Sequence, residues 1–260
     1  MIGLLSLSTV SLDKNFCGFN SVEDMQACIQ LSALLLKQSV DRVYFFTDRR
    51  GLEIIKDFKH IFDEVVTCLD DLAWVKDYNW AMSKLYAYTK MQEPFVHVDI
   101  DVFLWEGLPK HFFDSARVDY FFQNVEAFTR PEYRFYPPAI NEVYKILPTK
   151  IQRNSIKYSY NCGITGVNDL SLIREHYALA NEFVTRNQEM SWGKSKHQHH
   201  QCIIFEQYFF AVLTRHSKVE TLLNADTSKK YDIKYTHLIV DAKRKPEYIA
   251  QVKRRLAELL

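Results

Sequence analysis

The run FVHVDIDVFLW, residues 95–105, sets three polar side chains, His97, Asp99 and Asp101, into an otherwise apolar strand-like stretch. In an extended chain, residues two apart share a face and stand about 6 to 7 Å apart. These three would then form one polar row, with Val96, Val98, Ile100 and Val102 packed on the opposite face. Two neighbouring carboxylates repel and raise each other's pKa unless a cation neutralises them. A hard divalent ion held by oxygen ligands, Mg2+ or Mn2+, supplies that charge. The alternative for an isolated D-x-D is a pair of solvated aspartates where a strand frays.

Two more segments carry suitable chemistry. YSYNCGITG, residues 158–166, places Gly163 and Gly166, two of only seven glycines, within four residues of each other. That spacing predicts a turn in which the backbone approaches something closely, with the Asn161 amide offered to hydroxyl or phosphate oxygens. An ordinary tight turn is the alternative. Toward the tail, YTHLIVDAKRKPEY carries His237, whose neutral imidazole can ligate a metal, and Lys243, a mobile point charge suited to phosphate. A satisfied histidine at a strand end is the competing reading. The cluster His197, His199 and His200 lacks the acidic or cysteine partners of a zinc site and reads as a loop over the donor.

The elements that must hold these residues alternate. IGLLSLSTV reads as a first strand, followed by the helix SVEDMQACIQLSALLLKQS with Ser21 and Asp24 as a capping pair. DRVYFFTD, the short helix GLEIIKDFKHIF, DEVVTCL and the helix NWAMSKLYAYTKMQ then lead into PFVHVDIDVFL. Such alternation predicts parallel strands with crossover helices, an α/β architecture, and ligand crevices in open α/β sheets form at the carboxyl ends of strands. Beyond Trp105 the pattern loosens. VDYFFQNVEAF is a strand with its exit loop, and residues 129–150, with four of the seven prolines, predict an irregular excursion over a site. Helices are expected over LSLIREHYALANEFVTRNQ, CIIFEQYFFAVLTRH and the basic tail DAKRKPEYIAQVKRRLAELL.

Composition narrows the class. With 260 residues, 47% of them hydrophobic, the chain can bury a large core, and one compact unit over 1–260 is expected. A net charge of +1 gives no electrostatic case for nucleic acid. Five cysteines with no C-x-x-C pair suggest neither a disulfide framework nor a zinc ribbon, so a reducing, cytoplasmic setting is expected. The apolar start lacks the flanks of a signal peptide, and no segment is long enough to span a bilayer. The basic tail helix permits docking on the protein body or peripheral contact with an anionic membrane on its inner face.

The order of a helix with Lys84, then VHVDIDVFL, NCGITG, EQY and HLIVDAK resembles the D-x-D-containing GT-A glycosyltransferases. It looks most like the glycogenin and bacterial lipooligosaccharide galactosyltransferase group, and like small predicted sugar transferases of bacterial surface-polysaccharide loci. The resemblance implies a Rossmann-like, mixed and mostly parallel sheet flanked by helices, with residues 1–105 binding a nucleotide sugar and 106–260 completing the metal and acceptor sites. It implies that Asp99, Asp101 and His237 hold Mn2+ or Mg2+ against the diphosphate of a nucleotide sugar, with a UDP-sugar as the donor. Lys243 would touch that diphosphate and Lys84 stands in the place of a basic residue near the donor. Asn161 and Gly163 match an N-x-G turn, Glu206 and Gln207 an acidic-Gln pair beside the transferred sugar, and Glu126 an acidic residue contacting sugars. The implied reaction is hexosyl transfer, with retention, to a glycan or lipid-linked acceptor in surface polysaccharide synthesis. The tail departs from the group's pattern at Leu238, Val240, Arg244 and Lys245. Two other readings remain: a phosphohydrolase resembling the haloacid dehalogenase superfamily, with DIDVF as its nucleophile loop, and a sugar- or nucleotide-binding protein without turnover.

Overall fold

The computed structural model describes residues 1–10, 12, 16–189, 200–223 and 235–260. The first half is the alternating unit that the hydrophobic pattern predicts: β1 (Ile2–Leu7), helix α1 (Val22–Leu36), β2 (Arg42–Thr47), helix α2 (Arg49–Ile54), β3 (Glu64–Thr67), helix α3 (Ala81–Thr89) and β4 (Phe95–Val98). Ser21 caps α1 by accepting the Asp24 backbone N–H at 3.1 Å, which satisfies one of the helix's unpaired donors. The segment after β2 is less regular than a single helix, because α2 gives way to a 3-10 stretch at Lys56–Ile61.

The second half contributes β5 (Val102–Leu104), β6 (Tyr120–Ala127), helix α4 (Tyr136–Val143), β7 (Tyr158–Val167) and helix α5 (Ile173–Glu189). Helix α6 follows as Gln201–Ile203, a π-helical turn at Ile204–Tyr208, and Phe209–Thr214. The chain continues through β8 (Val219–Leu223), β9 (Tyr235–His237) and helix α7 (Pro246–Leu259). Seven strands form one sheet in the order β3-β2-β1-β4-β7-β6-β8, in which β7 runs antiparallel to both neighbours and the other pairings are parallel. The chain builds outward from β1 to β3 and then returns to β4 on the other side of β1. That reversal opens a crevice outside the carboxyl ends of β1 and β4.

Both faces of the sheet are covered. Leu5, Leu7, Val96 and Val98 pack with Met25 and Ile29 of α1 and with Ile249, Val252 and Leu256 of α7. On the other face Ile2, Leu4, Phe95 and Tyr120 pack with α3, α5 and α6 through Leu85, Phe183 and Phe209.

Three expectations change. The stretch 95–104 is not one strand: the Asp99 carbonyl accepts the Val102 N–H at 3.0 Å, and this turn sends β5 out of the main sheet to pair with β9. Residues 158–167 form a continuous ten-residue strand, with no turn at the glycines. The proline-rich excursion is a chain of short helices at Pro131–Tyr133, α4, Tyr144–Ile146 and Thr149–Gln152. The apolar stripe of α7 is buried against α1, where each of Ile249, Val252 and Leu256 contributes about 1.5 to 3 kcal/mol. That stripe is therefore unavailable to a membrane. Among the described residues no helix is long and apolar enough to cross one.

Candidate active site

The turn after β4 lies at the crevice and aims both aspartates into it. β5 pairs with β9 so that Val102 stands opposite His237, and the Leu238 N–H donates to the Asp101 carbonyl at 3.0 Å. This register brings a tail residue beside the turn. Asp99, Asp101 and His237 each present a ligand atom, and these atoms all lie within 4.8 Å of one another. His97 does not join them in a row. It is buried, 3.2 Å from the Ser6 hydroxyl, with its pKa pulled well down by burial and then by Lys84.

The imidazole of His237 is oriented from behind. Its Nδ1 lies 3.0 Å from the Gln123 side-chain oxygen, a contact that orients the ring so that Nε2 faces Asp101 Oδ1 at 3.7 Å. Gly163 makes this possible. A Cβ there would lie 2.6 Å from both Gln123 Oε1 and His237 Cε1, closer than any real Cβ contact. The close backbone approach expected at this glycine occurs inside a strand.

Each aspartate also has its own ammonium. Lys243 Nζ lies 2.7 Å from Asp101 Oδ2, and Lys84 Nζ lies 2.7 Å from Asp99 Oδ1. Burial alone would raise the Asp101 pKa, but Lys243 and then His237 outweigh it and hold the carboxyl below its ordinary value. Lys84 is buried, ion-paired with Asp99, and donates to Glu206 Oε1 and to the Cys162 carbonyl at 3.1 Å. Burial is the largest influence against its charge, yet Asp99 and Glu206 together overcome it and keep it protonated. Lys84 thus braces Asp99 from within and does not project into the crevice. Glu206 has its pKa pushed up to about 7, first by burial, with Lys84 opposing and Asp99 adding to the rise.

A family model covers residues 4–259 and describes a family of unknown function, DUF6734. The chain belongs to that family. No curated protein matches this DUF6734 sequence. Among solved structures it is similar to the galactosyltransferase LgtC in complex with donor and acceptor sugar analogs, at 12% identity and a TM-score of 0.55, over 100% of this chain and 95% of that one. It also matches mouse xyloside xylosyltransferase 1 at 13% identity and a TM-score of 0.45, over 86% and 85% of the two chains. A glycosyltransferase involved in the glycosylation of the major capsid of PBCV-1 matches at 12% identity and a TM-score of 0.43, over 98% of each chain. The DUF6734 chain has the GT-A fold: a mostly parallel seven-stranded sheet between helices.

The remaining expected residues of the DUF6734 site gather beyond Gly163. Asn161 accepts the Gly163 N–H at 3.0 Å and donates to Glu126 Oε1 at 3.0 Å, so its amide is engaged within the protein. Glu126 is buried, and burial raises its pKa against the hydrogen bonds from Tyr136 and Asn161. The π-helical turn lets adjacent residues serve different walls: Glu206 is buried against Lys84, while Gln207 is half-buried and faces Tyr136. Of the sequence's histidine cluster, His197 and His199 lie outside the described residues, and His200 stacks on Phe135.

Sequence reasoning missed Gln123, Tyr136 and Asn79. A bulge in β6 between Phe122 and Asn124, which breaks the pairing with β7, marks Gln123 in the structure, but no sequence feature announces it. Asn79 is buried with neither amide atom paired, in a small cleft at the end of β1 also lined by Ser8, Val10 and the exposed indole of Trp80.

Proposed function

We propose that this protein is a metal-dependent glycosyltransferase that moves a hexose from a nucleotide sugar, a UDP-sugar, to a glycan or lipid-linked acceptor, with retention, in surface polysaccharide synthesis. The observation that carries the reading is the convergence of Asp99, Asp101 and His237 at the sheet's reversal point on a GT-A fold. Two carboxylates and one imidazole suit Mn2+ or Mg2+, and the ligand atoms of all three are close enough to share one ion. When bound, such an ion would stabilise the negative charge that develops on a departing diphosphate.

The chain's own residues supply the rest. With Lys84 and Lys243 charged, each aspartate already has an ammonium beside it, so a divalent ion arriving alone must compete with an ammonium for each carboxylate. A diphosphate brings further negative charge, and ion and nucleotide are therefore expected to bind together. Lys243 sits on a short 3-10 turn, where its ammonium also donates to the Cys17 carbonyl at 3.3 Å; a diphosphate oxygen would take the place of Asp101 on it. Lys84, enclosed by Glu206 and the Cys162 carbonyl, keeps Asp99 in place. Beside the crevice the Trp80 ring is exposed and can stack on the nucleobase. Glu126 and Gln207 stand toward the sugar, where a carboxylate and an amide oxygen can support oxocarbenium-like charge.

The position of the D-x-D at the end of the fourth strand of a GT-A sheet favours this reading over a phosphohydrolase, whose nucleophile loop follows the first strand. The test is a screen of UDP-sugars with Mn2+ present, read by mass-resolved hydrolysis or transfer. Turnover of one donor that stops on chelation is the expected result. Binding without turnover of any donor would favour a sugar- or nucleotide-binding protein.

A further inference from the structure

The hydroxyl of Tyr136 lies 2.5 Å from Glu126 Oε2 and 2.6 Å from Gln207 Oε1, and the side chain is fully buried. A phenol has one proton to give and the Gln207 amide can turn over, so both contacts are met if Tyr136 donates to Glu126 and accepts from the Gln207 NH2. The result is an unbroken chain from Asn161 through Glu126 and Tyr136 to Gln207, drawn from β7, β6, α4 and α6. Burial and then Glu126 hold the phenol's pKa well above its ordinary value, so it stays a hydroxyl.

The ring is fixed independently of the hydroxyl. Tyr136 stacks on Phe128 with centroids 4.8 Å apart and on Phe135 at 4.5 Å, with interplanar angles of 20° and 25°. Helix α4 thus delivers one polar atom on a rigid aromatic post to the point where the two candidate sugar-facing side chains meet. Neither of those side chains contacts the other in any hydrogen bond of its own, and the phenol is what couples them.

We infer that Tyr136 is a positioning residue that clamps Gln207 and Glu126 for sugar transfer, so that it governs the chemical step and not nucleotide or metal binding. The inference rests on the glycosyltransferase reading. Its reach is separated from the phosphate side of the crevice: Asp99, Asp101, His237 and Lys243 make no hydrogen bond or ion pair to Tyr136. Misplacement of a reacting geometry by about an ångström costs up to about 100-fold in rate.

Tyr136→Phe keeps the stack and removes only the hydroxyl. We expect kcat to fall about 10- to 100-fold, with KM for the UDP-sugar and the affinity for UDP with Mn2+ within about 2-fold of wild type. Residues acting as one unit are non-additive, so the Glu126→Gln/Tyr136→Phe double variant should be no slower than Glu126→Gln alone. Unchanged kcat, a parallel loss of UDP affinity and melting temperature, or additive losses in the double variant would each overturn the clamp. Wild-type protein that turns over no donor would sink the transferase reading and the clamp with it; an active wild type with an equally active Tyr136→Phe sinks the clamp alone.

Discussion

Replacing Lys243 with methionine keeps the side chain's apolar stem and removes the ammonium that sits 2.7 Å from Asp101 Oδ2. The contact is a charge-assisted hydrogen bond between side chains 20% and 5% exposed, so it is mostly shielded from water. Bonds of this kind contribute about 1.5 to 3 kcal/mol. A divalent ion arriving without nucleotide must displace or withstand that ammonium. Lys243→Met should therefore bind Mn2+ alone about 10- to 100-fold more tightly than wild type, at 1.4 kcal/mol per tenfold. With UDP present the sign reverses, because the ammonium that opposed the ion is the one proposed to take a diphosphate oxygen. UDP affinity at saturating Mn2+ should fall by about 10- to 100-fold. Free Mn2+ followed by electron paramagnetic resonance gives the first quantity, and calorimetry with UDP the second. Metal affinity that is unchanged or weaker in the variant, in protein whose melting curve is intact, would refute the reasoning that the lysine stands in for the cation.

Glu206→Gln removes a buried carboxyl whose pKa is pushed up to about 7 by burial, against an ordinary value of 4.5. Between those two values the folded state holds a proton that the unfolded chain has released, so wild-type stability declines as pH rises through that window. The stability of Glu206→Gln relative to wild type should rise across it by up to about 3 kcal/mol, read by denaturant unfolding at several pH values; a difference flat with pH would contradict the assignment. Gly163→Ala forces a methyl to within 2.6 Å of His237 and Gln123. It should cost about 1 to 3 kcal/mol of stability and weaken Mn2+-dependent UDP binding at least about 10-fold by displacing the imidazole. An alanine variant that binds as wild type does would show that His237 is not held there.

Much of the fold was legible because the physics is local. The 3.6-residue spacing of 22–36 and the Ser21 cap announce α1, and the repeated strand-helix alternation up to residue 98 announces a parallel unit. Asp99 and Asp101 stood out because carboxylates are costly in an apolar run. The turn between them did not, since Ile100 continues the alternation and the break is made by the Asp99 carbonyl closing on Val102. Gly163 was readable as a close approach, but not its neighbours: Gln123 and His237 reach it through the β6–β7 pairing and the tail strand β9, contacts that local spacing cannot encode. The resemblance put Lys84 in the place of a basic residue near the donor, and only the packing of α3 against β7 and α6 shows that it is enclosed. Tyr136 lay in a proline-rich stretch without period, so nothing in the sequence separated it from the surrounding rings.

The central claim, that a divalent ion shared by Asp99, Asp101 and His237 binds jointly with a nucleotide diphosphate, is tested most directly by titrating UDP calorimetrically into wild type and Asp101→Asn, each with and without Mn2+. The account predicts binding heat for wild type only when Mn2+ is present, and at least about 100-fold weaker binding for Asp101→Asn in protein that melts as a folded chain. UDP binding of equal strength without metal, or undiminished in Asp101→Asn, would mean that the two lysines hold the nucleotide unaided.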